Sequence, residues 1–121
     1  MSIFSECTNL KKLIIYKKAL ALLIRIYQLI RNNVSLSRDF SLCDQLKRAA
    51  ISVLTNIAEG YYRSQKQSQN YLQISSGSAN EVVALLDIVS AVYKVNTTNI
   101  QEEYVTLGRQ INAFSRSLTD N

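Results

Sequence analysis

The chain has 121 residues, too few for a second hydrophobic core, and 47% of them are hydrophobic, enough to bury one core. It contains no proline, no tryptophan and only three glycines, so it lacks the turn-forming residues that an all-β fold needs. It also contains no histidine, which excludes Ser-His and Cys-His triads and the usual zinc and di-iron centres. We therefore expect one all-α domain over residues 1–121, with no catalytic residues, metal site or cofactor.

The first predicted helix spans residues 8–32 and carries two apolar faces. One face, with apolar residues at three- and four-residue steps, is predicted to face the core. It comprises Leu13, Tyr16, Leu20, Leu23, Ile24, Tyr27 and Ile30. The other lies about 120° away around the helix. This second face predicts self-association, although packing against two neighbouring helices of the same chain would bury part of it. The predicted oligomer interface is Ile15, Ala19, Leu22, Ile26 and Leu29.

Three further helices are predicted at residues 42–62, 65–94 and 99–118, each with a capping signal at its start. Short loops between them favour antiparallel neighbours, so we expect an antiparallel up-down four-helix bundle. A glycine within the third helix lowers helix propensity, and Gly77 therefore predicts a close helix contact. The predicted caps are Ser41 with Asp44, Ser64 with Gln67, and Thr98 with Gln101.

Positive charge is concentrated in the first half of the sequence. Residues 1–66 hold eleven Lys and Arg against four Asp and Glu, whereas residues 67–121 hold three against five. Basic residues at seven-residue spacing on the first helix predict a track for nucleic-acid phosphates, with a solvated surface as the alternative. The predicted nucleic-acid-binding residues are Lys11, Lys12, Lys17, Lys18, Arg25 and Arg63.

The cysteines and the apolar first helix indicate where the protein acts. Cys7 and Cys43 have neither zinc nor redox spacing, which predicts free thiols in a reducing cytoplasm. The apolar run at residues 13–30 includes three basic residues, so we expect no membrane span, and the first residues lack the layout of a signal peptide.

A signature in the second predicted helix resembles that of one protein family. It comprises Gln45–Val53 and Asn56–Gly60, followed by Arg63-Ser64 and, in the third helix, Gly77-Ser78-x-x-Glu81. This combination is similar to the small bacterial four-helix-bundle proteins encoded in intervening sequences of 23S rRNA genes. Their relatives include the accessory variability proteins of diversity-generating retroelements. The chain departs from the family pattern at Leu54, where a proline usually stands, so a straighter second helix is expected.

The resemblance implies a homopentameric ring with no known enzymatic activity that associates with nucleic acid. In the retroelement branch it also implies a reverse transcriptase as partner. The rival interpretation is a protein-binding scaffold whose basic face docks an acidic partner. We expect the signature to be structural, with an ion pair between Arg48 and Glu81 joining the second and third helices. The predicted structural residues are Arg48, Ser52, Asn56, Glu59, Gly60 and Glu81.

Overall fold

The computed structural model describes residues 10–61 and 63–118, which form five α-helices and no strand. The all-α prediction is confirmed for these residues, and each long helix begins and ends within three residues of its predicted bounds. The short second helix was not predicted. In chain order the helices are α1 Leu10–Arg31, α2 Val34–Ser37, α3 Phe40–Glu59, α4 Gln65–Tyr93 and α5 Thr98–Ser117.

The four long helices pack so that α1 and α4 lie at opposite corners. Both α1 and α4 pack against α3 and α5. Contacts join the start of one helix to the end of its neighbour: Lys12 of α1 reaches Tyr61 after α3, and Gln69 of α4 reaches Ser115 of α5. Neighbouring helices therefore run antiparallel, and α1 and α4 run in the same direction.

The core lies along the common axis of the long helices, where apolar residues recur every three or four positions. The short α2 contributes one fully buried side chain, Leu36, which covers the end of the core beside Cys43. The Cys43 thiol donates to the Leu36 carbonyl (3.1 Å), and burial raises the pKa of this thiol. Cys7 lies outside the described residues. The largest core side chains include Ile26, Leu46, Ile57, Leu72, Leu86, Tyr104, Leu107 and Ile111.

The burial of the two faces of α1 is the reverse of the prediction. The residues assigned to an oligomer interface, Ile15, Ala19, Leu22 and Ile26, are buried in the core of the single chain, and Leu29 packs against that core. Most of the face predicted to be buried is half-buried or exposed. That face includes two tyrosines, whose hydroxyl groups favour a position with access to water, whereas the buried face carries no polar atoms on its side chains. The predicted oligomer interface is therefore wrong.

The helix starts show which capping signals the chain uses. Asp39, not Ser41, caps α3, because its carboxylate accepts a hydrogen bond from the Leu42 backbone N–H (3.1 Å). This cap places the start of α3 two residues before its predicted position. The Ser64 hydroxyl accepts from the Gln67 N–H (3.3 Å), so the predicted cap of α4 is confirmed.

Candidate nucleic-acid interface

Part of the family-like signature joins α3 to α4 through hydroxyl groups. Ser52 Oγ and Ser78 Oγ are 2.7 Å apart and form a hydrogen bond. Asn56 supports this pair by donating from Nδ2 to both the carbonyl (2.9 Å) and the hydroxyl (3.0 Å) of Ser52. One turn away, the buried Ser75 hydroxyl donates to the Val53 carbonyl (2.6 Å). These bonds satisfy polar groups between two closely packed helices.

The charged residues of the signature do not connect the two helices. Arg48 Nε lies 2.9 Å from the Asp44 carboxylate one turn earlier on α3, and both side chains are largely exposed. Glu81 is exposed on α4 and forms no ion pair within residues 10–61 and 63–118. The predicted Arg48–Glu81 pair is therefore wrong, because Arg48 has a carboxylate within reach on its own helix and Glu81 faces outward. Glu59 pairs with Arg63 (3.4 Å).

The glycines of the signature have opposite surroundings. Gly60 is buried at the end of α3, where an added Cβ would lie 3.3 Å from Ser68 Cα and from Tyr71 Cβ. Gly60 therefore permits the close approach of α3 and α4 after their turn. Gly77 is exposed, and an added Cβ there would meet no atom within 4 Å. The close contact predicted at Gly77 does not occur among the residues that the structure describes.

Lys12 of the predicted phosphate track is buried instead of exposed. Its Nζ donates to the backbone carbonyls of Gly60 (3.5 Å) and Tyr61 (3.1 Å). The last carbonyls of a helix lack intrahelical donors and carry partial negative charge, so a lysine there stabilises the end of α3. Lys12 thus has a structural role and does not present its charge to a ligand as predicted.

Two other residues of that track face α5. Lys18 Nζ donates to Gln110 Oε1 (3.1 Å), and Arg25 donates to Asn99 Oδ1 (2.7 Å) and pairs with Glu103. These side chains line a groove of about 410 Å³ between α1 and α5. The positive charge of Arg25 is therefore offset by Glu103, and that of the exposed Arg63 by Glu59, whereas Lys11 and Lys17 are exposed and form no ion pair among the described residues.

The antiparallel packing collects positive charge at one half of the molecule. We call this half the basic end; α1 and α4 begin there, and α3 and α5 end there. Within the described residues it holds eight of the fourteen Lys and Arg and a single acid, Glu59, whereas the other half holds six of each sign. The basic end comprises residues 10–20, 50–61, 63–79 and 108–118. Its cations are Lys11, Lys12, Lys17, Lys18, Arg63, Lys66, Arg109 and Arg116.

Three of these cations, Lys66, Arg109 and Arg116, were not predicted as binding residues. They lie far from α1 in the sequence, and only the antiparallel fold brings them to the half in which α1 begins. The pattern of charges along one helix does not reveal such a cluster. The expected up-down topology would have revealed it, because that topology shows which helix ends lie together.

The described residues show neither a metal centre nor a membrane-spanning helix. No three His, Cys, Asp or Glu side chains among them are grouped so that they could hold a metal ion. None of the helices in residues 10–61 and 63–118 combines the length and apolar character needed to cross a membrane.

The fold and the signature define a small, basic, all-helical protein. The chain matches the family model of the 23S rRNA-intervening sequence protein over residues 11–120, and it belongs to this family. The relationship to the retroelement accessory proteins stays a prediction.

A solved structure resembles this chain over most of its length. It is the crystal structure of a protein with unknown function from the S23 ribosomal protein family of Bacteroides thetaiotaomicron. The two share 21% sequence identity and a TM-score of 0.79, over 88% of this chain and 98% of the other. At this identity the likeness shows a common fold. No curated protein matches the chain.

Proposed function

We propose that this protein is a non-enzymatic, basic four-helix bundle that binds the phosphate backbone of RNA or DNA at its basic end. The observation that carries the proposal is the charge of that end: within the described residues it holds seven exposed cations, apart from the buried Lys12, and a single acid, Glu59. Clustered lysines and arginines displace the counterions of a nucleic acid, which favours binding without dependence on base sequence. The proposed up-down bundle consists of the four long helices, each of which runs antiparallel to its two neighbours.

The proposed contacts differ in part from those predicted from the sequence. Lys11 and Arg63 remain, because each is exposed at the basic end and neither is needed for contacts between copies. Lys66 joins them from the first turn of α4. Arg25 is excluded, since it lies in the other half of the molecule, where cations and acids are equal in number among the described residues.

We further propose that the protein assembles with copies of itself, as a pentamer on the basis of the family resemblance. Support comes from the outward face of α1, where Leu10, Ile14 and Ile24 are exposed. Several large apolar side chains exposed on one helix face are typical of an interaction site. In an assembly the basic ends would be repeated, and simultaneous contacts would strengthen an interaction that is weak for one copy.

The test is a charge reversal at the basic end, Lys11→Glu, Arg63→Glu and Lys66→Glu in one protein. We expect affinity for single-stranded RNA and for duplex DNA to fall by about tenfold or more, because three phosphate contacts are replaced by repulsion. Fluorescence anisotropy with labelled oligonucleotides measures the affinity, and circular dichroism verifies that the variant remains helical.

The matched control makes the same change in charge in the other half of the molecule, with Arg31→Glu, Arg38→Glu and Arg48→Glu. We expect this variant to lose much less affinity than the basic-end variant. Equal losses would contradict a site at the basic end. Absence of binding by the unaltered protein at low salt would contradict nucleic-acid binding and favour an acidic protein partner.

A further inference from the structure

The outward face of α1 carries an apolar–cation–apolar pattern at seven-residue spacing. Leu10 is 69% exposed and Ile24 is 51% exposed, with the exposed Lys17 midway between them. Ile14 and Ala21 are also exposed beside this line. Seven-residue spacing keeps side chains on one seam of a helix, the arrangement by which one helix packs along another.

The outward face of α4 carries the complementary pattern. Ile74 is 53% exposed and Ile88 is 45% exposed, with the exposed Glu81 midway between them. Beside this line stand Gly77 and Ala84, also exposed and seven residues apart. Their small side chains leave room for a second helix to approach the α4 backbone closely, and an added Cβ at Gly77 meets nothing within 4 Å.

The two charges at the centres of these patterns have no ion-pair partner among the described residues. Neither Lys17 nor Glu81 takes part in an ion pair or hydrogen bond within the part of the chain that the structure describes. Each is flanked by exposed isoleucine or leucine side chains, so pairing the two faces would bury apolar surface around one ion pair. Because α1 and α4 lie at opposite corners, one chain cannot bring its own two faces together.

We propose that the outward face of α1 in one copy packs against the outward face of α4 in the next copy, with Lys17 paired to Glu81. This inference rests on the proposed self-association and specifies its interface. A contact between two different faces is head-to-tail, and repetition gives a closed ring or an open filament. Lys17 lies in the basic half of one copy and Glu81 in the other half of the next, so this pairing shifts neighbouring copies along the bundle axis or tilts the bundles within a ring.

A charge swap tests this interface. We expect Lys17→Glu alone and Glu81→Lys alone to weaken association by about tenfold or more, because each places like charges opposite one another. The double variant, Lys17→Glu with Glu81→Lys, restores the opposite charges and should assemble again. Sedimentation equilibrium across a range of protein concentrations measures association, and circular dichroism verifies the helical fold.

Two further variants separate this interface from general effects of charge and shape. Glu102→Lys changes an exposed acid on α5 and should leave association unchanged. Ala84→Trp adds bulk without charge on the outward face of α4 and should weaken association. The double variant has the same net charge as the parent protein. Recovery of its assembly therefore cannot be attributed to a change in net charge.

The outcomes distinguish the interface from the self-association on which it rests. An assembled parent protein that is insensitive to both single swaps would overturn the interface and leave self-association standing. Failure of the double variant to recover would overturn the Lys17–Glu81 pairing. A parent protein that sediments as a monomer at micromolar concentration would overturn both the interface and self-association.

Discussion

At the scale of single residues, the same amino acid has opposite effects at two positions of the signature. At Gly60 the backbone of α4 disfavours a side chain, because an added Cβ would lie only 3.3 Å from Ser68 Cα. Gly77 has no such neighbour among the described residues, so within the single chain its effect is to lower the helix propensity of α4. The sequence could indicate that both glycines break a helical pattern. It could not indicate which one touches a second helix, since that depends on packing between residues distant in sequence.

This contrast predicts opposite changes in stability. Gly77→Ala should raise the free energy of unfolding by about 1 kcal/mol through improved helix propensity. Gly60→Ala should lower it by about 1–2 kcal/mol, because the new methyl group overpacks a junction formed by backbone atoms. Urea denaturation of the two variants measures both values. A stabilised Gly60→Ala protein would show that the α3–α4 junction yields easily to added volume.

At the scale of helices, periodicity predicted where the long helices lie but not which face of α1 is buried. Both faces of α1 have helical spacing, and the two tyrosines Tyr16 and Tyr27 made the wrong face look larger and more apolar. The outcome depends on the positions of α3 and α5, which a single helix does not encode. The cap of α4 was evident from Ser64 and Gln67, because that interaction is local.

The start of α3 is tied to the end of α4 by Asp39. The Asp39 carboxylate accepts from the Tyr93 hydroxyl (2.6 Å) and from the Leu42 N–H, and these bonds lower the pKa of the carboxyl. A lowered pKa in the folded state means that the ionised carboxylate stabilises the fold. This stabilisation is present above the pKa of the unfolded chain and is lost as the pH falls through the pKa of the folded state.

Asp39→Asn tests this linkage, because asparagine can still cap a helix but carries no charge. We expect a lower thermal midpoint than that of the parent at pH 7, and a smaller difference once the pH is below about 4, the usual pKa of an aspartate. Thermal unfolding followed by circular dichroism at several pH values measures the difference. A difference that stays constant over this range would show that the charge of Asp39 contributes nothing.

At the scale of the whole molecule, the sequence predicted a basic protein and assigned all of the binding residues except Arg63 to the first helix. The fold distributes the positive charge differently: Arg25 is paired, Lys12 is buried, and cations such as Lys66 from other helices join those of α1 at the basic end. The exposed faces of α1 and α4 can likewise be recognised as two separate surfaces only once the fold places these helices at opposite corners of the bundle. These properties depend on topology, which local sequence patterns restrict but do not determine.

The most direct measurement is the dependence of nucleic-acid affinity on salt concentration. If the basic end binds phosphates, the logarithm of the association constant should fall linearly with the logarithm of salt concentration. Removing the charges of Lys11, Arg63 and Lys66 should reduce the magnitude of that slope by about 2–3, roughly one unit for each lost phosphate contact. An affinity that does not change with salt, or a slope that the three substitutions leave unaltered, would contradict phosphate binding at the basic end.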